Sequence, residues 1–268
     1  MTVILEEMDE ERRKLGTKTR PWNNVIELVN TYYDIQKTRI AIGNRLKWTD
    51  NPVIDRVHTA LNPTTGLEGQ IKKEIIQQVK LHPLWPRIEK CKGMGPVLFA
   101  ELLHAITGQV HTAECLKKRE EYYKKKQKEE KKKKRPERYT CDCLWFEIER
   151  FKYPSSLHRY AGLAPDQKRQ KGVKSDWNPN LKRVARGLIA PSLVRHNPAY
   201  RKIYREFIEE DKKKNPNLTP AHLRNRGLRK IAKLFLSHLH QRWYEARGLK
   251  PPEPYPQTKG HRIIPPPW

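Results

Sequence analysis

Between residues 22 and 48 the apolar positions Val25, Ile26, Leu28, Val29, Tyr32, Tyr33, Ile35, Ile40 and Leu46 recur at steps of three and four. That spacing predicts an amphipathic helix of about seven turns. Asp50, Asn51 and Pro52 break it. A second helix is expected over 53–61, ending at the NPTTG turn of 62–66. A third is expected over 67–81, with Ile71, Ile75, Ile76 and Val79 on one side. Together they form a helical arm over 21–82, and the pattern fits a coiled-coil hairpin and an ordinary helical subdomain equally. Farther on, LWPRIEKCKGMGPVLFAELLHAITG (84–108) reads as two helical stretches around a KGMGP turn. SLHRYAG (156–162) is a short helix closed by Gly162, with Ser155 or Ser156 as its cap. A polar basic loop covers 165–177. Asn178 or Asn180 caps the next helix, whose stripe is Leu181, Val184, Leu188, Leu193 and Val194. RKIYREFIEEDKKK is helical, and the last helix, 220–248, turns Leu223, Leu228, Ile231, Leu234, Phe235, Leu239 and Trp243 inward. No sustained period of two and no repeat occurs. The fold class is therefore mainly α. A disordered lead-in (1–20), the arm (21–82), a compact helical domain (83–248) and a Pro-rich extended tail (249–268) follow one another.

Charge changes the picture most. Of 268 residues 56 are Lys or Arg and 30 are Asp or Glu, a formal charge of +26. The mean hydropathy is −0.91 and the sequence pI about 10.0. A compact chain with that surplus repels itself unless a polyanion neutralises it. The charge is spread along the chain and interleaved with Trp and Tyr, a distribution that favours nucleic acid over a membrane surface. Residues 117–138 alone hold 13 Lys or Arg and 5 Glu. This run is too polar to pack, and it marks a solvated excursion over 112–140 whose ends rejoin near Cys115 and Cys141. No apolar run approaches membrane-spanning length. The N-terminus turns acidic at once, so no secretory signal is expected. Four cysteines fit a reducing, cytoplasmic setting.

KGMGP (92–96) has the shape of a helix-hairpin-helix turn. Gly93 and Gly95 permit positive φ and close backbone approach. The helix that follows then offers free N–H groups to a phosphate. Met94 would plug the hairpin into the core and Lys92 would add a charge. An unliganded helix–helix turn is the plainer alternative. Zinc is suggested by Cys115, Cys141 and Cys143 with His111 or His104. C-x-C is not the usual C-x2-C knuckle, however, and no second pair exists. Free or structural cysteines, with no metal and no cofactor, are the expectation. No set of carboxylates fit to hold two cations is visible. A serine nucleophile is possible at Ser155, Ser156 or Ser175; the first two read as helix caps, and Ser175 lies in the basic loop KRQKGVKSDW, whose cations could stabilise a phosphorane-like charge.

LHRYAGLAPDQKRQKG, followed by NLKRVARGLIAPSLVRHNPAYRKIYREF, resembles the C-terminal transposase domain of the insertion-sequence 110/116/902 transposases, also called DEDD or Piv/MooV recombinases. GMGP, YAGLAP, RQKG, NPNLKR, HNPAY and the late RKIAKLFL stretch occur in family order over about 84–247. The family's RuvC-like domain with its acidic tetrad has no counterpart here, and Lys171 stands where the family has its serine. The resemblance implies a nucleic-acid-binding protein of DNA transposition or recombination, nucleoid-associated, without a complete catalytic site in this chain. It also implies DNA as partner, a structured guide RNA as a second and a RuvC-like nuclease subunit acting in trans, while the coiled-coil reading of the arm allows a homodimer. The contacts expected are Lys92, Gly93 and Gly95 at the hairpin, Lys168, Arg169, Lys171, Lys174 and Trp177 in the loop, and Lys182, Arg183 and Arg186 on the next helix. Two other readings remain: an active recombinase using Ser175, and a non-enzymatic RNA-associated scaffold.

Overall fold

The computed structural model describes residues 5–129, 139–167, 171–173, 175–252 and 263–268. The expected lysines Lys168 and Lys174, and Arg169, lie outside them. The helices run in the order α1 (Glu10–Arg13), α2 (Asn23–Leu46), α3 (Pro52–Ala60), α4 (Leu67–Lys80), α5 (Trp85–Ile88), α6 (Pro96–Ile106), α7 (Ala113–Glu129), α8 (Pro154–Tyr160), α9 (Pro179–Lys182), α10 (Ala190–His196), α11 (Pro198–Lys214) and α12 (Pro220–Ala246). The fold is mainly α, and no helix among the described residues is long and apolar enough to cross a membrane.

Helix starts are set by one repeated device. Asn51, Asn178, Asn197 and Thr219 each precede a proline, and the side-chain oxygen of each accepts backbone N–H bonds from the first turn. The cap satisfies orphan donors, while the proline presets φ where its missing N–H costs nothing. The expected serine cap of α8 is a correction. Pro154 opens that helix, Tyr153 holds the cap position, and neither Ser155 nor Ser156 makes a capping bond.

The arm shares its base with the rest of the chain. Val25 and Val29 of α2 and Ile75 and Val79 of α4 belong to the same core as Phe99, Val184, Phe235 and Trp243. Beyond Val29 no residue of α2 is buried, and none of α3 is. The lead-in also differs from expectation, because residues 5–20 are folded. Met8 is buried, the Arg12 guanidinium donates to the Glu149 carbonyl at 2.8 Å, and Thr17 bridges Trp145. A short antiparallel ladder pairs β1 (Gly108–Gln109) with β2 (Trp145–Phe146) and brings the two ends of the 112–140 excursion side by side. In the tail, residues 263–268 lie back on α11 and α12. The Trp268 indole donates to the Tyr200 hydroxyl, and Arg242 donates to the Trp268 carbonyl.

Candidate nucleic-acid interface

The YAGLAP segment forms a turn at the end of α8. Gly162 sits at φ +65°, and a Cβ there would lie 2.6 Å from the Trp177 ring, so both conformation and space require glycine. The Trp177 indole packs on that glycine, and the Lys182 ammonium sits 4.5 Å from its ring centroid. The Asn178 amide donates to the Ala105 carbonyl at 3.0 Å and to the Tyr160 hydroxyl at 2.9 Å, which ties the turn to α6. Gln167 closes the loop, accepting from the Ala164 N–H and donating to the Arg159 carbonyl. From the opposite side Arg229 of α12 donates to the Leu163 carbonyl at 3.3 Å and the Ala164 carbonyl at 2.6 Å.

Arg229 binds this turn, and Arg186 and Lys233 lie near enough to Arg229 to act on or feel its charge. Partial burial, and then the charge of Arg186, lower the affinity of Arg229 for its proton. Burial and then Arg229 do the same to Lys233. Among the described residues none of the three forms an ion pair. Their neighbours are treated differently: Arg159 is held by Asp166 at 2.7 Å and Asp176 at 3.5 Å, and Lys230 by Asp211 at 2.9 Å. Arg186, Arg229 and Lys233 therefore carry their charge with no described carboxylate in ion-pair contact, while Asp166 and Asp176 of the same loop are taken up by Arg159.

The expected hairpin is a turn with a different first task. Gly93, at φ +98°, faces α10, where a Cβ would lie 3.0 Å from the Ser192 carbonyl, and the Ser192 hydroxyl donates to the Gly93 carbonyl at 2.7 Å. The close approach made by this glycine is to the protein's own helix. Met94 is buried in the core. Gly95 caps α6 in extended conformation with open space around it, and Lys92 is exposed. These two face solvent at the start of α6. The hairpin packs on α10 at Ser192, whereas Arg186 is linked to Arg229 of α12.

The remaining expected contacts divide. Arg183 donates to the buried carboxylate of Glu101, which also accepts the Tyr33 hydroxyl at 2.6 Å. That pair lines an open pocket of about 570 Å³ with Asn30, Asp34, His104 and Asn180. Burial, then hydrogen bonding to Glu101, raises the Tyr33 phenol, while burial and then Arg20 lower His104. Lys171 is exposed. Ser175 is half-buried, and among the described residues its hydroxyl meets no His, Lys or carboxylate at hydrogen-bond distance. Sequence reading missed Arg229 and Lys233. The available signal was RKIAK, which puts both one helical turn apart on α12. A different cluster, His111, Cys115, Cys141 and Cys143, gathers metal-ligating groups at the foot of α7, and His104 is not among them.

No family model, no curated protein and no solved structure matches this chain.

Proposed function

We propose that this chain is a transposase-related nucleic-acid-binding protein that acts in DNA transposition or recombination without a complete catalytic site of its own. The observation that carries the reading is the cluster of Arg186, Arg229 and Lys233 around the YAGLAP turn, held together without an acidic partner among the described residues. Like charges that lower one another's proton affinity repel in the fold, and a phosphate backbone would relieve that repulsion. Lys171 and Lys92 are exposed and add further positive charge to the surface. DNA is the partner proposed first, with structured RNA as the second arm of the test. A nuclease subunit in trans would supply the missing carboxylates. The exposed Ile40, Trp48, Val53 and Val57 at the outer end of the arm are where a second copy would pack.

Filter binding to duplex DNA and to structured RNA, over a range of salt, tests this. With 6–10 phosphate contacts, affinity should fall by about 10³–10⁵ between 50 and 200 mM salt. The pair Arg186→Gln and Lys233→Gln should weaken binding to every sequence alike and reduce the salt slope by about two. A flat salt response, or an unchanged slope in the double variant, would overturn the proposal. Recovery of a covalent protein–DNA adduct that disappears in Ser175→Ala would replace it with the serine recombinase reading.

A further inference from the structure

The two ends of the basic excursion meet in a cluster that no part of the proposed function uses. His111 and Cys115 follow β1, and Cys141 and Cys143 precede β2. Their ligand atoms, one imidazole nitrogen and three sulfurs, all lie within 4.8 Å of one another. His111 Nδ1 is 3.5 Å from Cys115 Sγ and 3.5 Å from Cys141 Sγ.

Those distances can be compared with a metal's demand. Zinc takes Zn–S bonds of about 2.3 Å and Zn–N bonds of about 2.0–2.1 Å in a tetrahedron. The nitrogen-to-sulfur edge of such a tetrahedron is about 3.6 Å, and the sulfur-to-sulfur edge about 3.8 Å. The His111–Cys115 and His111–Cys141 separations are within about 0.1 Å of that edge, and the widest pair of the four, within 4.8 Å, closes by about 1 Å on binding.

The surroundings hold the four groups in place independently of one another. Gln109, fixed in the ladder opposite Trp145, donates its amide to the Cys141 carbonyl at 3.2 Å and the Cys143 carbonyl at 3.0 Å, so the C-x-C loop is pinned by its backbone. The Val110 N–H donates to the Leu144 carbonyl, and the Cys115 N–H donates to the Thr112 hydroxyl. Cys115 is buried and the other three are half-buried. Lys118 lines the same pocket, and Arg119 lies near enough to act electrostatically on His111. Three thiolates with one neutral imidazole around Zn²⁺ leave a net charge of −1, toward which Arg119 supplies a nearby positive charge, while Lys118 is already paired with Glu114 at 2.6 Å.

We propose that His111, Cys115, Cys141 and Cys143 bind one structural Zn²⁺ that clamps the two ends of the 112–140 excursion. Binding forms three Zn–S bonds and one Zn–N bond and releases three thiol protons to solvent, with no change of oxidation state. Four protein ligands close the coordination sphere, so the ion is structural and activates no water. Its task is mechanical. It fixes the base from which α7 projects, so that the lysines and arginines of that helix leave the body at a defined place.

The test uses the untagged full-length chain purified without chelator. Elemental analysis should find one zinc per chain, released in step with titration of its thiols by a mercurial reagent. Reconstitution with Co²⁺ should give the intense thiolate-to-cobalt absorption and tetrahedral ligand-field bands of a three-sulfur site. Cys141→Ser and Cys143→Ser should each lose the ion, whereas Cys91→Ala, at a core position away from the cluster, should keep it. Removal of zinc from the wild-type chain should speed proteolysis within 112–140, with little change elsewhere. Should the serine variants fail to fold, the wild-type metal content and cobalt spectrum still decide the matter. A wild-type chain with four freely titrating thiols, no zinc and no tetrahedral cobalt spectrum would overturn the proposal, as would a disulfide between any two of the three cysteines.

Discussion

Acidification is expected to destabilise this protein through three histidines packed around α12. His238 is buried, with its Nε2–H donating to the Ile264 carbonyl at 2.7 Å and its Nδ1 accepting the Tyr200 hydroxyl at 2.7 Å. That hydroxyl already accepts the Trp268 indole, so a second proton on His238 would face a group with little left to accept it. His240 is buried and donates from Nε2 to the Phe151 carbonyl at 2.8 Å, and His158 donates likewise to the Lys233 carbonyl at 2.9 Å. Burial lowers His158 to about 3 and His238 and His240 to about 4. Unfolded, each returns to about 6.5. Between those limits the unfolded chain binds more protons than the folded one, so stability that is complete above about pH 6.5 is lost as pH falls. Glu149 works in the opposite sense. Burial, then the neighbouring Glu147, raise it to about 7. The folded chain keeps that proton where the unfolded chain has shed it, so this group favours the fold increasingly as pH falls from about 7 toward 4.5. Three histidines against one carboxyl leave an uptake of about two protons on unfolding near pH 5.5, a loss on the order of 3 kcal/mol per pH unit. Urea denaturation midpoints measured across that window give the slope directly. Growing net charge would also weaken the fold in acid, and variants separate the two causes. His238→Gln with His240→Gln should remove about two protons of linkage and leave a slope near zero. A wild-type chain whose stability is flat from about pH 7 to 5, or a double variant with the wild-type slope, would refute the reasoning.

Two further substitutions probe the turn and the pocket. Gly162→Ala forces an L side chain to φ +65° and into the Trp177 ring. It should cost about 1–2 kcal/mol from backbone strain alone, read as a lower thermal midpoint together with a shift in tryptophan emission, and an unchanged midpoint would remove the steric account of that glycine. Arg183→Ala strips the buried Glu101 of its cation and leaves it with Tyr33, which should cost about 1–3 kcal/mol in urea denaturation. Adding Glu101→Gln should restore most of that loss, since the uncompensated charge disappears with it, and a purely additive double variant would speak against the pairing.

Several helices were legible in the apolar pattern. Apolar spacing near 3.6 located α3, α4, α11 and α12 to within a few residues, whereas the single helix expected over 181–196 is α9, a π-helical stretch and α10. What escaped the sequence depends on contacts distant along the chain. The lead-in reads as polar, yet Arg12 is buried because a carbonyl 137 residues away takes its guanidinium. The docked tail follows from one indole meeting Tyr200, 68 residues earlier. The four metal-type groups looked unpromising because C-x-C lacks the usual spacing. The spacing that matters is closed by the β1–β2 ladder, which cancels about thirty intervening residues. At the basic face the reverse happened, since an apparent stripe of contacts turned out to be several different partnerships.

That division has a local cause. Lys182, Arg183 and Arg186 would share one side of a regular α-helix, being neighbours at steps of three and four. Here the chain from Arg183 to Ile189 is a π-helix. Pro191 explains it: a proline cannot donate to the carbonyl four residues back, and its ring pushes that carbonyl aside. The carbonyl belongs to Gly187, whose missing side chain makes the displacement easy and leaves open space around it. The widened turn fans the three cations apart. Lys182 goes to the Trp177 ring, Arg183 to Glu101 across α6, and Arg186 toward Arg229 on α12. Two are thereby spent on holding the turn and the pocket in shape, and the third joins a cluster that has no acid of its own. The three cations that the sequence placed in one stripe thus enter three different environments. On the function we propose, the anion should therefore be felt most at Arg186 and its α12 neighbours, and substitutions at Lys182 and Arg183 should register in stability before they register in binding.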